Sequence, residues 1–290
     1  MKIRIKFTKT GSLRFIGHLD VMRYFQKAFR RSEVDIAYSK GFSPHQLISF
    51  AAPLGIGLTS EGEYLDAEFR RVFDTKTMIE KINRSMVEEI QVLDFRLLPE
   101  GAQNAMSSVA AADYLIDFRE GYTMPCDFLG HISEFLAQEE IQILKKSKKS
   151  EQMVNIRPFI YEMKQQEQKI FLKVSTGSVD NLKPNLVMEA FCNFLDKEFS
   201  DFAFTYHRLE TYMRNKNQEL VPLAEAGSVI TEPELVDMEM TKTEEAEPAD
   251  RKMTKAEEAE SADRKMTKAE EVKPADMEMT KADEADSTLE

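Results

Sequence analysis

Residues 2–31 read KIRIKFTKTGSLRFIGHLDVMRYFQKAFRR, and the fold turns on a change of period inside this stretch. From residue 2 to residue 8, Ile3, Ile5 and Phe7 alternate with Lys2, Arg4 and Lys6, the two-residue period of a half-buried strand. Gly11 and Ser12 turn the chain, and residues 13–16 read as a short extended piece. From His18 the period becomes helical. Leu19, Met22, Phe25, Ala28 and Phe29 fall on one side, with Arg23, Lys27, Arg30 and Arg31 on the other.

Working outward, strand patterns recur at residues 36–38, 47–50, 63–72 and 90–98, with a helical pattern at 75–86. Residues 113–213 repeat the order. Strands are expected at 114–118, 140–144, 154–161, 169–174 and 202–212, and helices at 127–137 and from Pro184 onward, where proline suits the first helical turn. The expected class is α+β: two tandem ferredoxin-like (split βαβ) domains with antiparallel sheets, followed by a disordered acidic repeat tail. The boundaries follow from composition. Residues 1–98 form the first domain with the basic motif, 99–112 a linker, 113–213 the second domain, 214–236 another linker and 237–290 the tail.

The tail carries its own signature. Met240, Met253, Met266 and Met279 open successive units such as MTKAEEAESADRK, a period of 13. Thirteen residues rotate a helix by about 220°, so these Met share no helical face. Little else is apolar, and Pro248 and Pro274 interrupt, which predicts disorder. The 290 residues carry 39 Lys and Arg against 51 Asp and Glu, a net charge of −12. Residues 237–290 hold 18 of those acids and 9 bases, whereas residues 1–40 hold 10 bases and 3 acids. The chain therefore has a nearly neutral body, a basic front end and an acidic tail. No apolar run is long enough to span a membrane, the N-terminal stretch lacks a secretory core, and two cysteines make no disulfide framework. A cytoplasmic protein is expected.

Functional residue types crowd into residues 12–31 and 38–51: Arg14, His18, Asp20, Arg23, Lys27, Arg30, Arg31, Lys40 and His45, with Tyr24, Tyr38 and Phe42 interleaved. Arginine forks suit phosphate oxygens and aromatic faces stack on unpaired bases, so the mixture fits RNA. The plain alternatives are a solvated helix face, with His18 and Asp20 capping the helix and His45 bonding locally. The paired acids at Glu61, Glu63, Asp66 and Glu68 read as an exposed strand face. No phosphate-cradling loop, dinucleotide fingerprint, zincin motif or nucleophile elbow is present, and no third ligand completes a metal site with the histidines.

The runs LRFIGHLD, AFRR, YSKGFSPH, SFAAPLG and SEGEYLD, in that order, resemble the DUF2344 family, also called radical-SAM-associated or radical-SAM-linked proteins. A weaker likeness continues through KKSEQMVNIRPFI, residues 148–160. Many relatives read SHLD and GFNPH where this chain has Gly17 before His18 and Ser43 before Pro44. The resemblance implies a radical-SAM partner protein. Related domains form the C-terminal part of larger radical-SAM proteins, and genes of this kind neighbour those of an RNA-processing enzyme and of ribosomal proteins. This chain has no triad of closely spaced cysteines, so an iron–sulfur cluster and S-adenosylmethionine would sit in the partner, with no cofactor here. The expectation is an accessory module, not itself catalytic, that binds RNA at Arg14, His18, Asp20, Arg23, Lys27, Arg30, Arg31, Lys40 and His45. Nothing points to DNA. The alternatives are a protein-interaction domain and an RNA-processing nuclease using His18 and His45.

Overall fold

The computed structural model describes residues 1–122, 127–146, 151–178, 180–232 and 234–235. The acidic repeats expected to be a disordered tail lie outside them, as does Cys126. The elements run β1 (Lys2–Lys9), α1 (His18–Arg31), β2 (Ile48–Phe50), β3 (Thr59–Glu68), β4 (Arg71–Val72), α2 (Thr75–Asn83) and β5 (Val92–Leu97). They continue with α3 (Ala105–Ser108), β6 (Val109–Phe118), α4 (Ile132–Leu136), β7 (Gln142–Lys146), β8 (Glu151–Asn155), β9 (Ile160–Gln166) and β10 (Lys169–Ser175). Last come α5 (Pro184–Phe194), β11 (Phe204–Arg214), β12 (Leu220–Pro222), β13 (Ser228–Val229) and β14 (Glu234–Leu235). The class is mixed α/β with a mostly antiparallel sheet. Among the described residues no helix is long and apolar enough to cross a membrane.

Ten strands form one sheet in the order β13-β5-β1-β3-β11-β6-β10-β9, with β2 on β3 and β12 on β11. The alternation read in β1 is real. Ile3, Ile5 and Phe7 are buried under α1 and α2 in one core with Phe25, Phe29, Phe69 and Phe95. A second core gathers Tyr114, Phe128, Phe135, Leu172, Phe191 and Phe204 from residues 112–206. Cys192 belongs to it, and burial pushes its thiol up to about 11.

The sequence led us to expect two separate sheets; they are fused edge to edge. β3 and β11 pair in parallel, with His207 opposite Thr59 and Arg208 opposite Ser60. Gly62 makes the close approach possible, since a Cβ there would lie 2.5 Å from Glu210 Cα. Within the segments expected as linkers, residues 99–112 and 214–232 carry structure. They supply α3, the start of β6, β12 and β13, and a 3-10 turn at Leu223–Ala226. Ala105, Leu223 and Ala224 cover Tyr64 and Ala51 in a third small cluster, while Ile230 enters the first core.

That cover explains a second difference. Arg4 reads as a solvent-facing residue of β1, yet it is buried and forms a two-pronged ion pair with Asp66, at 2.8 and 3.1 Å. Its remaining donors reach the carbonyls of Gln103 and Leu223, and Asp66 also accepts from the Ala105 amide at 2.7 Å. Charges taken from water need every bond satisfied, and this pair comes close to that.

Candidate functional site

Helix α1 packs through Val21, Phe25, Ala28 and Phe29. The ring of Phe25 lies edge-on to Phe7 at 4.7 Å, and Phe29 meets Phe69 at 5.8 Å. This stripe is rotated from the one read in the sequence, and Leu19, expected inside, is 62 % exposed. The helix starts at Gly17, whose carbonyl accepts from the Asp20 and Val21 amides, and no side chain caps it. Asp20 turns instead to Arg23, with Oδ1 3.2 Å from Nη1 and both groups exposed. Arg23, Lys27 and Arg30 share the solvent face. Arg31 departs from that group, because its guanidinium donates to the Ser85 carbonyl at 2.6 Å and anchors the chain after α2.

The turn before α1 is held from below. Residues 13–16, expected to be extended, lie largely in a 3-10 turn at Gly11–Phe15. Lys9 is 2 % exposed, and its Nζ donates to the carbonyls of Ile16, at 3.0 Å, and Arg14, at 3.4 Å. Burial holds its pKa below the usual lysine range, partly offset by Glu63. The Arg14 guanidinium lies over the Phe15 ring at 4.8 Å, and the Gly57 amide donates to the Arg14 carbonyl. Phe15, Leu19 and Ile56 are all exposed here. His18 sets its ring edge-on against Phe50 at 4.9 Å, and burial lowers its pKa while Glu63 opposes the shift.

The other half of the site is a narrow loop at residues 38–46. Tyr38 and Gln46 form an isolated bridge, and the Ser39 amide donates to the His45 carbonyl at 2.8 Å. The Ser39 hydroxyl accepts from the His45 amide at 3.1 Å and lies 2.9 Å from His45 Nδ1. His45 therefore braces the loop. Gly41, at φ +119°, supplies a backbone conformation that side chains disfavour. Gln46 ties the foot of the loop to the middle of α1, donating to the Gln26 carbonyl and the Tyr38 hydroxyl, both at 3.2 Å. Lys40 and Phe42 project to solvent, and Phe42 is 112 % exposed.

The structure thus sorts the residues singled out in the sequence. Arg23, Lys27, Arg30 and Lys40 offer exposed positive charge, Arg14 and His18 stand at the helix start, and His45 and Arg31 are engaged locally. His18 packs against Phe50, whereas His45 bonds Ser39, so the two histidines have different immediate partners. Among the described residues no three His, Cys, Asp or Glu side chains gather to hold a metal ion.

Two features escaped the sequence. Lys9 looks like an ordinary strand lysine, yet it continues the inward face of Ile3, Ile5 and Phe7 and is buried there. Glu63, read as part of an exposed acidic face, is buried against Arg208 at 3.0 Å. Arg208 also donates to the Tyr114 hydroxyl and the Ala52 carbonyl. Burial works against the Arg208 charge, but Glu63 and Tyr114 together more than offset it, so the group stays protonated. This network joins β3, β6 and β11.

Residues 2–184 match the family described as an uncharacterized protein conserved in bacteria, DUF2344. No curated protein matches. A solved structure titled "Crystal Structure of a Cbf5-Nop10-Gar1 Complex" aligns with 72 % of this chain and 48 % of that chain, at 10 % identity and a TM-score of 0.38. This chain spans about half the length of the one it matches there.

Proposed function

The chain belongs to the DUF2344 family, and from that premise we propose that it is a cytoplasmic accessory module that binds RNA and presents it to a radical-SAM partner protein. The observation that carries the RNA reading is the face of α1, where Arg23, Lys27 and Arg30 stand in solvent with Asp20 on Arg23 as the acid paired there. Phosphates bind such a face through counterion release and charge-assisted hydrogen bonds. In this reading any iron–sulfur cluster and S-adenosylmethionine belong to the partner. Each half of the chain is a ferredoxin-like unit in the same proposal, supported by the strand orders β5-β1-β3-β2 and β11-β6-β10-β9.

Protein docking is a second role with its own observation. Phe15, Leu19 and Ile56 are exposed around the start of α1, apart from the Arg23–Arg30 face. Apolar side chains left in water beside a polar rim mark protein contact sites. The two roles are compatible, with the partner at the helix start and RNA along the helix.

The test is salt dependence. A phosphate contact on a single strand contributes roughly 0.7 to the log–log salt slope. Reversing Arg23, Lys27 and Arg30 to Glu should flatten that slope by about 2 and weaken binding of a mixed-sequence RNA, with melting unchanged because all three are exposed. A well-folded triple variant that binds RNA with the parent's affinity and slope would leave protein docking as the sole role.

A further inference from the structure

Phe42 sits where a folded chain gains nothing by placing it. Among the described residues its ring has no packing partner, since it is fully exposed. Isolated apolar residues on surfaces are ordinary, but three further observations set this one apart. The first is that the loop carrying it is braced. Ser39 and His45 close it with one backbone and two side-chain contacts, Tyr38 and Gln46 bridge beneath, and Gly41 takes the left-handed turn. The ring is thus presented at little conformational cost.

The second observation is its foundation. Gln46 fixes the foot of the loop to the Gln26 carbonyl, and Arg23 and Arg30 lie three residues before and four residues after Gln26, on the same stripe of the helix. The third is charge. Lys40 is exposed in the same loop, Lys27 lies next along the helix, and Asp20 is occupied by Arg23. An exposed aromatic ring on a loop that carries Lys40 and is tied to the cationic helix suits a ligand that alternates flat π-faces with negative charge. A protein partner would have to supply a matching pocket for the ring, whereas any unpaired base offers it a face.

We infer that Phe42 is a stacking platform for an unpaired base, and that the RNA taken by this site is single-stranded. The inference rests on the RNA reading above and specifies its substrate class. A duplex keeps its bases stacked on one another, and the deep, narrow major groove of the A-form hides their edges, so a phenyl ring on a loop has no base face to meet. A single strand can turn a base out onto Phe42 while its phosphates run along Arg23, Lys27 and Arg30. Stacking on an aromatic ring tolerates any base, so selectivity for strandedness exceeds selectivity for sequence.

The experiment uses the full chain with a fluorescein-labelled, mixed-sequence 12-nucleotide RNA, free or annealed to its complement, and reads anisotropy. Single-stranded RNA should bind more tightly than the duplex. Phe42→Ala should weaken single-strand binding about 5- to 150-fold, the range for loss of one stacked base, and leave duplex binding and the melting temperature unchanged. Phe42→Trp, which keeps a π-face, should restore the affinity. Equal binding of strand and duplex, or no loss in F42A, overturns the stacking role while the charge-reversal variant still tests the RNA reading separately. If neither RNA form binds the parent chain, both fall. If F42A binds RNA normally but loses a protein captured by the parent chain, the loop is a protein contact and the inference is wrong.

Discussion

Gly62→Ala probes the joint on which the whole fold depends. Gly62 has no left-handed backbone to excuse its glycine; the reason is space. An ideal Cβ there would lie 2.5 Å from Glu210 Cα, 2.7 Å from Glu210 N and 2.8 Å from the Leu209 carbonyl oxygen. Carbon contacts are comfortable at about 3.5–4.0 Å, so the overlap is roughly 1 Å. All three atoms are backbone and cannot rotate away. β3 and β11 must separate, where Thr211 Oγ1 donates to the Gly62 carbonyl at 2.7 Å and Tyr64 donates to Glu210 at 2.8 Å. Overpacking costs about 1–3 kcal/mol, and a domain of this size loses about 2–4 °C per kcal/mol, so a drop of about 2–12 °C is expected. Gly55→Ala is the control, because its Cβ would meet Leu58 Cδ1 at an ordinary 3.7 Å. It should change stability by less than about 0.5 kcal/mol. Urea unfolding of both variants, followed by circular dichroism and tyrosine fluorescence, measures the difference. If G62A unfolds within 0.5 kcal/mol of G55A, by the same rough criterion, the close approach of the two halves is not what the glycine serves.

Two further expectations concern the segment after β11 and the histidines. A chain ending at residue 213 strips Leu223 and Ile230 from their clusters, and at about 1.5–3 kcal/mol per buried side chain the loss of about 3–6 kcal/mol rivals the whole stability of a domain; if that truncated chain melts like the full one, the segment is ornamental. In NMR titrations His18 and His207 should show midpoints below the ordinary 6.5, because burial disfavours their charged forms, and His131 above it, because Glu134 bonds its ring. A depressed folded pKa means that the unfolded chain binds more protons, so His18 and His207 contribute stability that is present above pH 6.5 and lost as the pH falls through their folded midpoints. His131 contributes with the opposite sign, and a midpoint for His18 above 6.5 would mean that its ring is not packed on Phe50.

What could be read from the sequence was what a single element determines by itself. The period switch at His18 located β1 and α1, because a strand and a helix each bury one face whatever lies beyond them. Thr75 and Pro184 were equally informative as the first residues of α2 and α5. The errors about buried charge share one cause: a second layer that arrives from far along the chain. Arg4 and Asp66 alternate correctly with apolar neighbours, yet the segments around Gln103 and Leu223 close over them. Polar residues on a strand therefore report which face is not the main core, without reporting whether that face is wet. The same limit hid the Glu63–Arg208 pair, whose partners are 145 positions apart. It also hid the role of residues 214–232, which lack a period of their own because their strands are only two or three residues long.

The candidate site divides along the same line. Exposed charge on α1 was legible, since a helical stripe of Arg23, Lys27 and Arg30 opposite Phe25 and Phe29 leaves the bases in solvent. The local chemistry of the loop was not, because a histidine after a proline is consistent with either a ligand contact or a brace, and only the Ser39 hydroxyl at 2.9 Å from its Nδ1 decides for the brace. That choice has a consequence for how the site works. Serine at 39 and histidine at 45 spend their polar groups on each other, Lys9 spends its ammonium on the carbonyls of Arg14 and Ile16, and Arg31 spends its guanidinium on Ser85. Four of the polar groups nearest the site are thereby committed to holding backbone in place. Those left free to meet a ligand are the exposed cations and the ring of Phe42, a set that suits a charged, flat-faced polymer. Braced supports with uncommitted tips suit the binding role proposed above, which the charge-reversal and Phe42 variants test.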